Sequence, residues 1–84
     1  MQKVYVEKFG GASVNTSSAV KNVLSILGSE KRKRIVVVSA MGKTTNALEK
    51  VVNLWHNERR VDEKDFEALL SYHFEIIDGL FKKE

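Results

Sequence analysis

Cysteine and proline are both absent from this 84-residue chain, and no apolar run is longer than a strand. Without cysteine there can be no disulfide, no thiolate metal site and no thiol nucleophile, a composition that fits a reducing compartment. Without proline, nothing of that kind marks a linker between domains. The longest apolar stretch, Ile35 to Val38 extended through Ala40 and Met41, falls far short of the roughly 20 residues that a membrane-spanning helix needs. At the start, Glu7 and Lys8 interrupt what would have to be an unbroken hydrophobic stretch in a signal peptide. These absences predict a cytoplasmic protein with no membrane association.

With 43% hydrophobic and 30% charged residues, the chain has enough apolar surface to fold and is not expected to be disordered. Its length allows one small domain at most, with little room for a complete two-substrate enzyme. The net charge of +3 is concentrated in Lys31-Arg32-Lys33-Arg34. No aromatic residues interleave that run and no nucleic-acid motif accompanies it, so it reads as a solvated turn before a buried strand and no nucleic-acid partner is expected.

Lys3 to Phe9 is β-prone and ends at a glycine pair, which predicts a strand. Val20, Val23, Leu24 and Leu27 then follow helical spacing from about Ser17 to Leu27, with Asn15, Thr16 or Ser17 as N-cap and Gly28 as the stop. Ile35 to Ser39 predicts a second strand. Strand, helix, strand at this spacing is a βαβ unit with parallel pairing. Two more helices are expected: Thr45 to Trp55, with Leu48, Val51, Val52 and Trp55 inward, and Glu63 to Phe81, with Phe66, Leu69, Leu70, Phe74, Ile77 and Phe81 inward. A charged connection, Asn57 to Asp62, joins them. The fold class is α/β.

Ile35-Val36-Val37-Val38 is apolar at consecutive positions, so both faces of that strand call for cover, as in the middle of a parallel sheet. Only one partner strand is evident. The expectation is part of a larger α/β domain, or a chain completed by a homo-oligomer or strand-exchanged assembly.

Two segments carry chemistry. In Lys8-Phe9-Gly10-Gly11-Ala12-Ser13 a cation precedes two residues without Cβ atoms, so the backbone can approach a phosphate at the end of a strand. In Val36-Val37-Val38-Ser39-Ala40-Met41-Gly42-Lys43-Thr44-Thr45-Asn46 the Gly-Lys-Thr-Thr run looks like the end of a P-loop, but that motif needs a glycine where Val37 stands. What remains is a strand delivering Ser39, a short loop with Gly42, and a hydroxyl-bearing helix start. Ligands sit at such carboxyl-end loops in open parallel sheets. His56 and His73 have no ligand cluster beside them, and no metal site is expected.

Taken together, Lys-Phe-Gly-Gly-x-Ser-Val on the first strand and Val-Val-Val-Ser-Ala-Met-Gly-x-Thr-Thr-Asn-x-Leu on the second strongly resemble the N-terminal portion of aspartokinases in the amino acid kinase family. The likeness is close over roughly the first fifty residues and looser beyond. It implies that residues 1–84 are a partial amino acid kinase domain, a βαβ parallel unit followed by two helices. The implied reaction is phosphoryl transfer from ATP, with Mg2+ on the nucleotide, to the side-chain carboxylate of L-aspartate, the entry to lysine, threonine and methionine synthesis. On matching positions it implies Lys8 as the catalytic residue at the transferring phosphates. Phe9, Gly10, Gly11 and Ser13 would join it around ATP, with Ser39 and Thr45 beside aspartate. Such roles suit a reaction that depends on positioning and charge stabilisation.

Ala12 stands where the family usually has threonine, which removes a hydroxyl from the phosphate loop. The family's later acidic, arginine and adenine-binding elements and its ACT domains have no counterpart in these residues, so the chain alone is expected to be inactive. The alternative is a small helical interaction module with a degenerate nucleotide loop, presenting Phe74, Ile77, Leu80 and Phe81 to a partner.

Overall fold

The computed structural model describes residues 3–81 of the chain; Met1, Gln2 and residues 82–84, the ends of the 1–84 domain assignment, lie outside the described residues. Strand β1 (Tyr5–Phe9) leads through a 3-10 turn (Gly11–Val14) into helix α1 (Ser17–Ser29), and strand β2 (Arg34–Val38) follows. Helices α2 (Thr44–Glu58) and α3 (Glu63–Leu80) complete the described chain. This is the expected α/β order, a βαβ unit followed by two helices, consistent with part of an amino acid kinase fold.

The two strands pair in parallel, from Tyr5 beside Arg34 to Phe9 beside Val38. The ladder is extended at both ends, where the amide of Tyr5 donates to the carbonyl of Lys33 and that of Ser39 to the carbonyl of Phe9, each at 3.0 Å. Parallel register brings both carboxyl ends to one edge, so the Gly10 loop and the Ser39 loop leave the sheet side by side.

Capping explains most helix boundaries. The Thr16 hydroxyl accepts from the amide of Ala19 at 3.0 Å and starts α1. At the other end the helix does not stop at Gly28 but runs one residue further, where the Ser29 hydroxyl donates to the carbonyl of Ile26 at 2.7 Å. Helix α2 outruns the expected Trp55 and takes in Asn57 and Glu58 from the charged connection. It ends at Arg59, whose left-handed backbone (φ 53°) returns its amide to the carbonyl of Trp55. Asp62 caps α3, accepting from the amides of Lys64 and Asp65.

Among the described residues the buried ones are Val14, Val23, Ile76 and one polar residue, Thr44. The core therefore lies where the 3-10 turn, α1, α3 and the start of α2 meet, rather than beneath the sheet. On β2, Ile35, Val36, Val37 and Val38 are all exposed, as are Val4 and Val6 at the first strand. The expectation of a buried strand is thus not met among the described residues, which supply the sheet with two strands only.

The basic run is partly neutralised within the fold. Glu7 lies between Arg32 (3.1 Å) and Arg34 (3.0 Å), and Arg34 also donates to the carbonyl of Glu30. The guanidinium of Arg32 in turn rests 4.4 Å over the Tyr5 ring.

The expected inward stripes of the last two helices need correction. On α3, Phe66, Leu70, Phe74 and Ile77 are exposed, as is Phe81 just past its end, and the line turned inward is Asp65, Leu69, Tyr72, His73, Ile76 and Leu80. The two lines differ mostly by one residue, about 100° around the helix, so the apolar arc spans both and periodicity alone cannot choose between them. On α2 the inward line is Thr44, Ala47, Val51 and Leu54, leaving Leu48, Val52 and Trp55 exposed.

Candidate functional site

The carboxyl edge of the sheet gathers the residues singled out by sequence. Lys8 is exposed near the end of β1, beside Val37 of β2, and alternation puts it on the sheet face opposite Glu7. It makes no ion pair among the described residues, whereas Glu7 pairs with Arg32 and Arg34. Phe9 ends the strand, half-buried, and Gly10 follows in an extended conformation. The amide of Ser13 closes the 3-10 turn onto the carbonyl of Gly10 at 3.0 Å, leaving Ser13 exposed. Across the edge, Ser39 and Thr45 flank the second loop, both exposed.

The two loops are bonded to each other. Besides the Ser39-to-Phe9 bond, the amide of Gly42 donates to the carbonyl of Gly11 at 3.0 Å. This contact separates the two glycines of the first loop. A Cβ on Gly11 would lie 2.4 Å from the Gly42 carbonyl oxygen, whereas one on Gly10 would meet nothing within 4 Å. The bareness of Gly11 is taken up by the neighbouring loop, and only Gly10 leaves open backbone for a ligand. Gly42 has φ +56°, and a Cβ there would sit 2.5 Å from the Tyr72 hydroxyl, so conformation and space both call for glycine.

Val37 lies inside β2, so the glycine-rich wrap of a P-loop cannot form ahead of Gly42-Lys43. Thr44 opens α2 instead, its hydroxyl donating to the carbonyl of Met41 at 2.5 Å.

Sequence reasoning missed the residues that hold this edge from behind. The Tyr72 hydroxyl donates to the carbonyl of Asn15, next to the first loop, at 2.6 Å. His73 Nε2 is 3.2 Å from Thr44 Oγ1 at the second, and its Nδ1 is 2.8 Å from the carbonyl of Leu69. The legible signal was there: two polar-tipped rings, at positions three and four after Leu69, share a helix line with Ile76.

A cleft of about 570 Å³ opens behind the loops, walled by Asn15, Gly42, Lys43, Thr44, Leu69 and Tyr72 among others. None of Lys8, Phe9, Gly10, Gly11, Ser13, Ser39 or Thr45 lines it, so the candidate site is the exposed edge and not this cleft. The ammonium group of Lys50 at its rim is 3.0 Å from Asp65, and the hydrogen bond to Asp65, with that carboxylate's charge, raises the lysine pKa above its ordinary value.

Comparison with known proteins bears on the same residues. Aspartokinase 2, chloroplastic, of Arabidopsis thaliana is 48% identical over 44 residues, which cover 51% of this chain and 8% of that protein. The chain therefore matches only a small part of that relative's length. The profile of the amino acid kinase family matches residues 3–78, from the residues before β1 into the last turns of α3. With that match running through both loops and the helix behind them, the chain belongs to the amino acid kinase family.

Proposed function

We propose that this chain supplies the phosphate-side edge of an aspartokinase, a phosphotransferase that moves the γ-phosphoryl group of ATP to the side-chain carboxylate of L-aspartate in lysine, threonine and methionine synthesis. The supporting observation is the bonded pair of loops, in which the Gly42 amide joins the Gly11 carbonyl at one edge of a parallel sheet. Lys8, a cation of that edge with no ion pair among the described residues, contacts the transferring phosphates and offsets the charge that builds on them. Phe9, Gly10, Gly11 and Ser13 form the ATP side, where the open backbone at Gly10 lets a phosphate come close. Ser39 and Thr45 face aspartate from the second loop. Among the described residues no group of three or more His, Asp or Glu side chains could hold a metal, so no residue is assigned to Mg2+, which enters on the phosphates of the nucleotide.

On this reading residues 1–84 are the N-terminal part of a kinase domain that works in the cytoplasm, and they make half of a site. Phosphoryl transfer needs both substrates held in line, so the chain alone has no turnover. The deciding experiment grafts residues 1–84 in place of the matching part of a full-length aspartokinase and follows aspartate-dependent ADP release. Turnover that is abolished by Lys8→Ala is expected; a folded graft without turnover, or one indifferent to Lys8→Ala, overturns the reading.

A second reading has one observation in its favour, the exposed apolar line Phe66, Leu70, Phe74 and Ile77 on α3, continued by Phe81 just past its end. It makes the chain a helical interaction module with a degenerate nucleotide loop, its partner lying along that line. Full stability and unchanged chimera activity in Phe74→Ser would favour the module, because a kinase domain covering α3 would suffer from the change.

A further inference from the structure

We propose that Tyr72 and His73 are positioning residues that hold the two loops at a fixed separation, so that α3 sets the distance between the donor and acceptor sides of the site. The consequence for phosphoryl transfer rests on the kinase reading; the clamp itself does not. Consecutive helix positions point about 100° apart, which lets neighbouring residues reach different loops. Tyr72 takes the first, through the carbonyl of Asn15, and its hydroxyl also packs against Gly42. His73 takes the second, through Thr44 Oγ1. Their rings meet edge to face, with centroids 5.4 Å apart and planes at 85°, so each limits the other's orientation.

Proton accounting fixes how His73 works. A carbonyl oxygen only accepts, so Nδ1, facing the carbonyl of Leu69, must carry a proton. The single proton of the Thr44 hydroxyl is committed to the carbonyl of Met41 in the same way. Thr44 Oγ1 therefore presents a lone pair to Nε2, and the ring holds both the Leu69 carbonyl and Thr44 only as a donor at each nitrogen. A ring that merely filled space would be indifferent to which nitrogen donates.

The test is amide hydrogen exchange by NMR on the 84-residue chain without nucleotide, so its outcome is independent of whether the chain is a kinase. Three variants are compared: Tyr72→Phe, His73→Asn, which keeps a donor near the Nδ1 position, and His73→Gln, which carries one toward Nε2. Tyr72→Phe and His73→Asn should speed exchange at Gly42 by about tenfold, the effect of one lost hydrogen bond, while Val23 in α1 is unchanged. His73→Gln should restore protection. Unchanged protection in both loosened variants, identical behaviour of Asn and Gln, or uniform loss at Val23 and Gly42 overturns the proposal. Nitrogen shifts of the unmodified ring give an independent check, since a ring with either nitrogen bare contradicts it whatever the variants do.

Discussion

The amide nitrogen of Gly42 lies 3.0 Å from the carbonyl oxygen of Gly11, and the missing Cβ of Gly11 makes room for the oxygen of Gly42 in return. Each glycine accommodates the other, so the second loop is built against the first. A methyl group at Gly11 would sit 2.4 Å from a backbone atom, which cannot swing aside as a side-chain tip can. Gly11→Ala should therefore cost about 1–3 kcal/mol, typical of overpacking, and deprotect the Gly42 amide. Denaturant midpoints with site-resolved exchange check both effects, and an unchanged midpoint would contradict the close approach.

Gly10→Ala predicts the opposite pattern. The backbone there is extended (φ −78°, ψ 177°), and a Cβ meets nothing within 4 Å. Stability should stay within about 0.5 kcal/mol of the parent or rise slightly, because alanine narrows the unfolded ensemble. On the kinase reading the same change should raise the KM for ATP in the full-length chimera, since that reading brings a phosphate to the place the new methyl would take. A destabilised chain with normal nucleotide kinetics would reverse this division between the glycines.

The βαβ unit and both later helices were legible because their signals are local: alternation and β-propensity in β1, helical spacing in α1, and punctuation at Asn15-Thr16 and Asp62. The candidate loops were legible because a strand ending in glycines and hydroxyls is a local pattern too. What stayed hidden depends on distant partners. Periodicity could not show that α3 turns Tyr72 and His73 inward rather than Phe66 and Phe74, because the choice depends on Asn15 and Thr44, which lie 57 and 29 residues away. Nor could it separate Gly10 from Gly11, which differ only in what the second loop places beside them.

Glu7 is the electrostatic anchor of the sheet. Its side chain is 16% exposed and that of its partner Arg34 12%, so neither charge is well hydrated. Removing the carboxylate leaves Arg34 with the Glu30 carbonyl alone and loosens Arg32 from its place over Tyr5. Glu7→Gln should lose about 1–3 kcal/mol in a denaturant titration, where an exposed ion pair would lose less than 1. A change below that range would place the Glu7 cluster among ordinary surface pairs.

Lys50 and Asp65 make a different kind of pair, an exposed lysine 3.0 Å from a half-buried carboxylate at the rim of the cleft. The bond to Asp65, then that group's charge, hold the lysine above its ordinary 10.5, with a smaller push from Asp62. A folded-state pKa above the unfolded value means that the folded chain holds this proton more tightly. The stabilisation is therefore complete below the unfolded lysine value and disappears as pH rises through the folded one. Neutral pH should show no variation from this pair, and Asp65→Asn should bring the Lys50 titration, followed by NMR at its ε-carbon, back toward 10.5. A parent Lys50 that titrates at or below 10.5 would contradict the contact.

The face of the sheet that carries Lys8 also carries Val6 and Ile35, 69% and 56% exposed. Open apolar strands promote edge and face association, and the expected state of the isolated chain is a homo-oligomer or strand-exchanged assembly. Because both side chains already meet water, Val6→Thr with Ile35→Thr keeps β-propensity and should change stability by less than about 0.5 kcal/mol per site. Association should fall with it. Light scattering across a concentration series separates the two effects: the parent gains mass with concentration and the double variant stays monomeric at an unchanged denaturation midpoint. A parent that is monodisperse and monomeric throughout the series would show that this face does not drive association, and the exposure of β2 would then have to be matched by its charged neighbour Lys8 keeping other chains away.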